Sequence, residues 1–233
     1  MAKQVIIIGG EGNGGVAAAC IQDMRNNYDI DEYEVYGFLN DFETPGSKIN
    51  GYPVLGGLDA IQSYVGGDFY FIYAIHSISH APLRIQIFES LGIPDEKLVT
   101  LIHPLTFIGE GCEIAPGVMI MAHSYIGPAT KIGKCTFVMA NCAIGHNNTI
   151  GSFCHFSVGA ICSSVLTIGN GCDVALNATV MEKVTMGDFS VVGAAALCLK
   201  DVEPYQVVVG SPAKHLKYVK HEETKQEWRG AEK

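Results

Sequence analysis

Apolar residues recur at every sixth position through the second half of the chain. Ile108, Ile114, Ile120, Ile126, Ile132, Val138, Ile144, Ile150, Phe156, Cys162, Ile168, Val174, Val180, Met186 and Val192 form fifteen consecutive apolar positions at this spacing. In a chain that is about half apolar, such a run arises by chance roughly once in tens of thousands of trials. Neither the helical period near 3.6 nor the strand period of about 2 puts a branched aliphatic residue at every sixth position. Stacked coils of a β-solenoid do, each six-residue unit supplying one short face.

Glycine follows the repeat residue at 109, 127 and 145, and again at 133, 151, 169 and 187, two series that each step by 18. Three faces therefore make one coil of triangular cross-section, with glycine expected at corners that need positive φ. Four positions after each repeat residue stand mostly small residues, from Cys112 and Val118 to Ser190 and Ala196, with Asn148 and Leu166 as exceptions. These are expected to fill the narrow interior.

The first hundred residues carry a different pattern. "KQVIIIGG", "EVYGFLND" and "DFYFIYAI" read as buried strands. "GVAAACIQDM", "LDAIQSYV" and "APLRIQIFESLG" read as helices, the last with Pro82 in its first turn and Gly92 after its end. Alternating strands and helices predict a small parallel, Rossmann-like sheet over residues 1–100. "LVTLIHP" is a last strand running into the solenoid of 101–214, and a charged tail follows at 215–233.

Composition narrows the function. The 233 residues are 48% hydrophobic and 17% charged, with a formal net charge of -9, which disfavours nucleic acid and anionic lipid as partners. The first apolar run stops after Ile8, too short for a signal-peptide core or a membrane span, so a cytoplasmic location is expected. Of the eight cysteines, Cys112, Cys142, Cys154 and Cys172 occupy the small-residue position and Cys162 and Cys198 fall on the six-residue register. Packing explains them better than disulfides or metal, since a buried free cysteine behaves as a small hydrophobe.

Gly10, Gly12 and Gly15 satisfy G-x-G-x-x-G between a strand and a helix, where backbone N–H groups can cradle phosphate. A turn that only packs helix on strand is the plain alternative. A nicotinamide dehydrogenase is disfavoured, because a hundred residues provide half a dinucleotide fold and no substrate domain. His146 and His155 stand nine residues apart, half an 18-residue coil, so they are expected on opposite sides of the prism. Taken alone, a histidine after a corner glycine reads as a solvated turn residue. His103 is expected to start the solenoid, His123 to point from a face, and His80, His215 and His221 to lie on the surface.

The six-residue repeat, closed by "GSPAK" at 210–214, resembles the hexapeptide-repeat acyltransferases, which form left-handed parallel β-helices and work as trimers. Both halves together resemble the bacterial sugar acetyltransferases that include nucleotide-4-amino-sugar N-acetyltransferases and sialic-acid O-acetyltransferases. The resemblance runs from "IIIGGEGNGG" through "VYGFLND", "GYPVLGG" and "HFSVGA" to "VVGSPAK". It implies an acetyl-CoA-dependent enzyme without metal, acting on a nucleotide-linked amino sugar such as a UDP-4-amino-sugar, with sialic-acid O-acetylation as the alternative and an inactive structural trimer as a third reading.

That resemblance also implies a site. Glu11, Gly12, Asn13, Asn40, Asp41 and His76 match the positions that contact the nucleotide sugar, with His76 standing where the pattern has glycine and Asn13 where it has histidine. His146 matches the catalytic base. His155, Leu176 and Ala194 match the acetyl-CoA contacts, and Lys200, Lys214, Lys217 and Lys220 could meet the CoA phosphates. Relatives carry an acidic residue after the catalytic histidine, whereas here Asn147 and then Asn148 follow it. An amide can orient an imidazole without favouring its cation as a carboxylate does, so His146 is expected to be a weaker base than its relatives'. Some carbonic anhydrases bind zinc on the same β-helix, but with two histidines five residues apart, a pair that the solenoid here lacks.

Overall fold

A computed structural model describes residues 2–220. β1 (Lys3–Ile8) leads through a glycine turn into α1 (Asn13–Tyr28) and then β2 (Tyr33–Leu39). A hairpin of β3 (Lys48–Ile49) and β4 (Tyr52–Gly56) follows, then a 3-10 turn at Leu58–Ile61 running into the one-turn α2 (Gln62–Val65). β5 (Phe69–Tyr73) and α3 (Ala81–Leu91) complete this part, with Gly92 closing α3 at φ 65°. The sheet order is β3-β4-β2-β1-β5, parallel except for β3 against β4. "LDAIQSYV" is thus half 3-10 turn and half a single α-helical turn, and the hairpin at "KINGYPVLG" was not among the expected strands.

From Leu101 onward the chain is a triangular parallel β-helix of two-residue strands. Each strand pairs with the one 18 residues on, as in Ile126 with Ile144, Ile132 with Ile150 and Val138 with Phe156. The second residue of each strand is the repeat residue and points inward, and from Ile120 to Cys198 all of these belong to one buried cluster. Burying such a side chain contributes about 1.5–3 kcal/mol relative to leaving it in water, so every rung adds to a continuous core. Asn148 also faces inward; its amide donates to the carbonyls of Gly145 and Ser163 at 2.8 and 3.0 Å and accepts the Leu166 N–H at 2.8 Å.

The corners correct one expectation. Positive φ does not fall on the glycines after the repeat residue but two residues later, at 111, 117, 123 and every sixth position to 195, mostly on residues other than glycine, such as His123 (61°), Asn147 (57°) and Phe153 (58°). The glycines serve close stacking of coils instead. A Cβ at Gly127 would lie 2.5 Å from the Gly145 carbonyl carbon, and one at Gly145 would lie 2.5 Å from Ser164 Oγ. His123 accordingly sits at a corner, not on a face.

The three faces differ on their outer sides. The second, through Glu113, Lys131, Thr149, Thr167 and Thr185, is polar. The third, through Leu101, Met119, Phe137, His155, Asp173 and Val191, is covered as far as Asp173 by the N-terminal part, while Val191 packs with Val207 and Val219. Met119 and Phe137 pack with Val5, Ile7 and Ala17, and Phe153 from the adjoining corner packs with Phe71, Tyr73 and Phe88. The first, through Phe107, Tyr125, Ala143, Ile161, Thr179 and Leu197, is largely apolar and uncovered. At the far end Gln206–Val209 pairs with Lys214–Tyr218, so the charged terminal segment begins as an antiparallel strand.

Candidate active site

A cavity of about 580 Å³ opens at the C-terminal ends of β1, β2 and β5, where the sheet order reverses and α/β sheets characteristically bind ligands. Glu11, Gly12, Asn13, Asn40, Asp41 and His76 all line it. α1 starts here with Gly12 as N-cap and no side-chain cap; the Gly15 N–H donates to the Gly10 carbonyl at 3.1 Å, and the Asn13 and Gly14 N–H groups of the first turn are left as anion donors beside the cavity. The side chains around it fix its shape. Asn13 Nδ2 donates to the His76 carbonyl at 3.0 Å and Asn40 Nδ2 to the Gly9 carbonyl at 3.0 Å. Asn40 Oδ1 accepts the Phe42 N–H at 2.7 Å and Asp41 Oδ1 the Leu58 N–H at 2.7 Å.

The cavity backs onto the third face through two histidines. His76 stacks on His155 with ring centroids 5.6 Å apart and planes at 23°, and Phe137 lies 5.5 Å from His76. Both histidines are 5% exposed, and none of their four ring nitrogens has a hydrogen-bond partner among the described residues. Burial, then the Arg84 charge, then His155 hold the His76 pKa well below its ordinary value, against a small opposing backbone contact from Tyr73. Burial likewise lowers His155 to about 4, with Asp173 opposing. Two neutral imidazoles therefore face each other at neutral pH, and an unsatisfied buried polar group costs roughly 1–3 kcal/mol.

Beside them the β5–α3 loop is bolted to the solenoid. Arg84 Nη2 meets Asp173 Oδ1 at 2.8 Å with both side chains 1% exposed, and donates to the Phe153 carbonyl at 2.9 Å. Arg84 Nη1 donates to the Ser77 carbonyl at 2.7 Å, and Asp173 Oδ2 accepts the Ser79 N–H at 2.8 Å. Neither residue was singled out from the sequence; a lone arginine in an amphipathic helix gives no such signal. His103 ties α1 to the first coil through Asp23 at 2.7 Å.

His146 lies at the corner between the first and second faces, opposite the third face and so opposite His155, as the nine-residue spacing requires. It is exposed. Its Nδ1 lies 2.8 Å from Asn147 Oδ1, an oxygen that can only accept, so Nδ1 carries the proton and Nε2 is the free base. Its backbone N–H donates to Ser164 Oγ at 3.2 Å. Leu176, 51% exposed, and Ala194 stand at the corner between the third and first faces. His155, expected beside them, is buried against His76 instead, because the N-terminal sheet covers its face.

Residues 4–91 match the PglD N-terminal domain family. Among solved structures, the acetyltransferase domain of PglB from Neisseria gonorrhoeae, in complex with acetyl coenzyme A, is 27% identical with a TM-score of 0.79, covering 93% of this chain and 100% of that one. The N-terminal part thus belongs to the PglD N-terminal domain family, and the chain as a whole is similar to the hexapeptide-repeat sugar acetyltransferases. Perosamine N-acetyltransferase from Caulobacter crescentus, in complex with CoA and GDP-perosamine, shares the fold at 22% identity and a TM-score of 0.80, covering 92% of this chain and 97% of that one. WeeI from Acinetobacter baumannii shares it at 24% and 0.70, covering 91% and 99%. No curated protein sequence matches significantly. The β-helix of this acetyltransferase is accordingly the left-handed one.

Among the described residues of this acetyltransferase, no group of three or more His, Cys, Asp or Glu side chains could hold a metal ion, and no helix is long and apolar enough to cross a membrane. Lys200, Lys214, Lys217 and Lys220 are exposed toward the C-terminal end of the solenoid, while His221 lies outside the described residues. His215 is exposed and contacts Gln206 at 3.2 Å, and His80 is the half-buried N-cap of α3.

Proposed function

We propose that this enzyme transfers the acetyl group of acetyl-CoA to the amine of a nucleotide-linked amino sugar, a UDP-sugar in the first instance, in the cytoplasm. The observation that carries the reading is the cavity at the strand ends, where an uncapped helix N-terminus suited to phosphate meets all six residues matched to nucleotide-sugar contacts. His146 Nε2 accepts the proton that the amine sheds as it attacks the thioester carbonyl, and returns it to the departing CoA thiolate. Leu176 and Ala194 supply an exposed corner for acetyl-CoA, with the four lysines available to its phosphates. Eight free cysteines suit a reducing compartment.

The site is completed by a second copy. The cavity adjoins the third face, and His146 stands at the corner opposite, so a sugar held by one subunit meets another subunit's His146. The uncovered first face runs between the His146 corner and the Leu176 corner, and its Phe107 and Tyr125 rings stack at 5.0 Å and 4° with both side chains about half exposed. Three copies closing a ring through this face would set the His146 corner of one beside the Leu176 corner of the next, a heterologous contact. The test is a panel of UDP-, GDP- and dTDP-linked amino sugars and CMP-sialic acid with acetyl-CoA, following CoA release from protein sized by light scattering. CoA release with an amino sugar by a trimer is expected; an active monomer, or turnover of the sialic acid alone, contradicts the reading.

Asn147 orients the His146 ring in this scheme through the 2.8 Å contact to Nδ1. Asn147→Asp puts a carboxylate against Nδ1, favours the imidazolium, and is expected to move the acidic limb of kcat/KM to higher pH by up to about one pH unit, because His146 then holds its proton to higher pH. A limb that stays in place with activity intact removes Asn147 from the mechanism.

A further inference from the structure

The cavity wall carries Glu11, Asp41 and Glu43 but no lysine or arginine, and its histidine is neutral. A diphosphate there depends on the N–H groups at the start of α1, which fixes the middle of a nucleotide sugar and leaves its two ends to β2 and β5. In open α/β sheets an acidic residue after the second strand faces the ribose. Asp41 occupies that place, so the hexose falls at the β5 end, where His76 stands against the solenoid.

We infer that His76 is the residue that selects the sugar: its imidazole turns from the stack with His155 to hydrogen-bond a hydroxyl or the amine of the hexose. This rests on the function proposed above and goes beyond it by assigning recognition of the sugar to one side chain. Three observations carry it. His76 lines the cavity, yet neither ring nitrogen makes a hydrogen bond of normal geometry with the described residues, the Tyr73 backbone being only a weak contact. Phe137, His155 and Tyr73 surround the ring at 5.5, 5.6 and 6.1 Å, a cage that phenylalanine would satisfy without leaving polar atoms stranded. The position is also held from the cavity side, since Asn13, the first residue of α1, donates to the His76 carbonyl at 3.0 Å.

A neutral imidazole offers one donor and one acceptor, which suits sugar hydroxyls and a free amine better than a phosphate. The resting stack closes both nitrogens off, so contact requires rotation of the ring. His155, unpartnered itself, releases it at no cost in hydrogen bonds and acts as a positioning residue.

His76→Phe keeps the ring and its packing and removes only the nitrogens. The Kd of the nucleotide amino sugar, by calorimetry, is expected to rise about 10- to 100-fold while the Kd of the free nucleoside diphosphate and the KM of acetyl-CoA stay within about twofold. In protein labelled with 15N-histidine, the His76 side-chain nitrogens are expected to shift with the nucleotide sugar and not with the nucleoside diphosphate. Unchanged sugar affinity in an enzyme whose wild type turns the substrate over, or an equal loss for the free nucleoside diphosphate, overturns the assignment while leaving the proposed function standing. A wild type that neither binds nor acetylates any nucleotide amino sugar overturns both.

Discussion

Replacing His146 with alanine is expected to lower kcat by about 10²- to 10⁴-fold, the usual contribution of a positioned general base. The amine must lose a proton as the tetrahedral intermediate forms, and Nε2 is the imidazole nitrogen left free by the contact between Nδ1 and Asn147. The KM for acetyl-CoA is expected to change little, because the lost interaction acts in the transition state and not in binding the ground state. Folding should be untouched: the side chain is exposed, and the His146 N–H that meets Ser164 Oγ remains in the variant. Steady-state kinetics with both substrates varied, and nucleotide-sugar binding measured separately, decide the matter. An unaltered kcat moves the base elsewhere; a fall in kcat accompanied by lost nucleotide-sugar binding points to misassembly.

That Glu11, Gly12, Asn13, Asn40, Asp41 and His76 share one cavity is legible in the sequence, for identifiable reasons. The solenoid reports itself because each coil reuses one interior, so Ile108 to Val192 had to be apolar at fixed spacing. The glycine turn and the ends of β2 and β5 converge because strand ends converge in any small parallel sheet. What stayed hidden depends on contacts between the halves. Spacing puts His155 on the side away from His146 but says nothing of the sheet that lands on it, so its burial against His76 was not legible. The corners were misread for a physical reason as well: Gly127 and Gly145 are required by the coil stacked on them, while the left-handed turns accept Ala129, Val165 and Phe189. The β3–β4 hairpin escaped because "GYPVLGG" buries little more than Val54.

Arg84→Met is expected to destabilise the protein by about 3–5 kcal/mol, the cost of removing one partner of a buried ion pair. The methionine fills most of the arginine's volume, so the loss is electrostatic: Asp173, 1% exposed, is left with the Ser79 N–H in place of the guanidinium, and the carbonyls of Ser77 and Phe153 lose their donors. The double variant Arg84→Met with Asp173→Leu is expected to recover a substantial part of that loss, because a buried pair exchanged for apolar residues of similar volume is often close to neutral. Urea unfolding at fixed subunit concentration checks both, the midpoint shifting while the slope stays constant. A single variant costing under about 1 kcal/mol, or a double variant as unstable as the sum of its singles, means that the pair is not what holds the β5–α3 loop to the solenoid. The functional consequence separates the loop's role from stability alone. Ser77 lines the cavity and His76 precedes it, so loosening their anchor should weaken nucleotide-sugar binding even at temperatures where the variant is fully folded, and the double variant, which restores packing but not the hydrogen bond to the Ser77 carbonyl, should recover stability further than it recovers affinity.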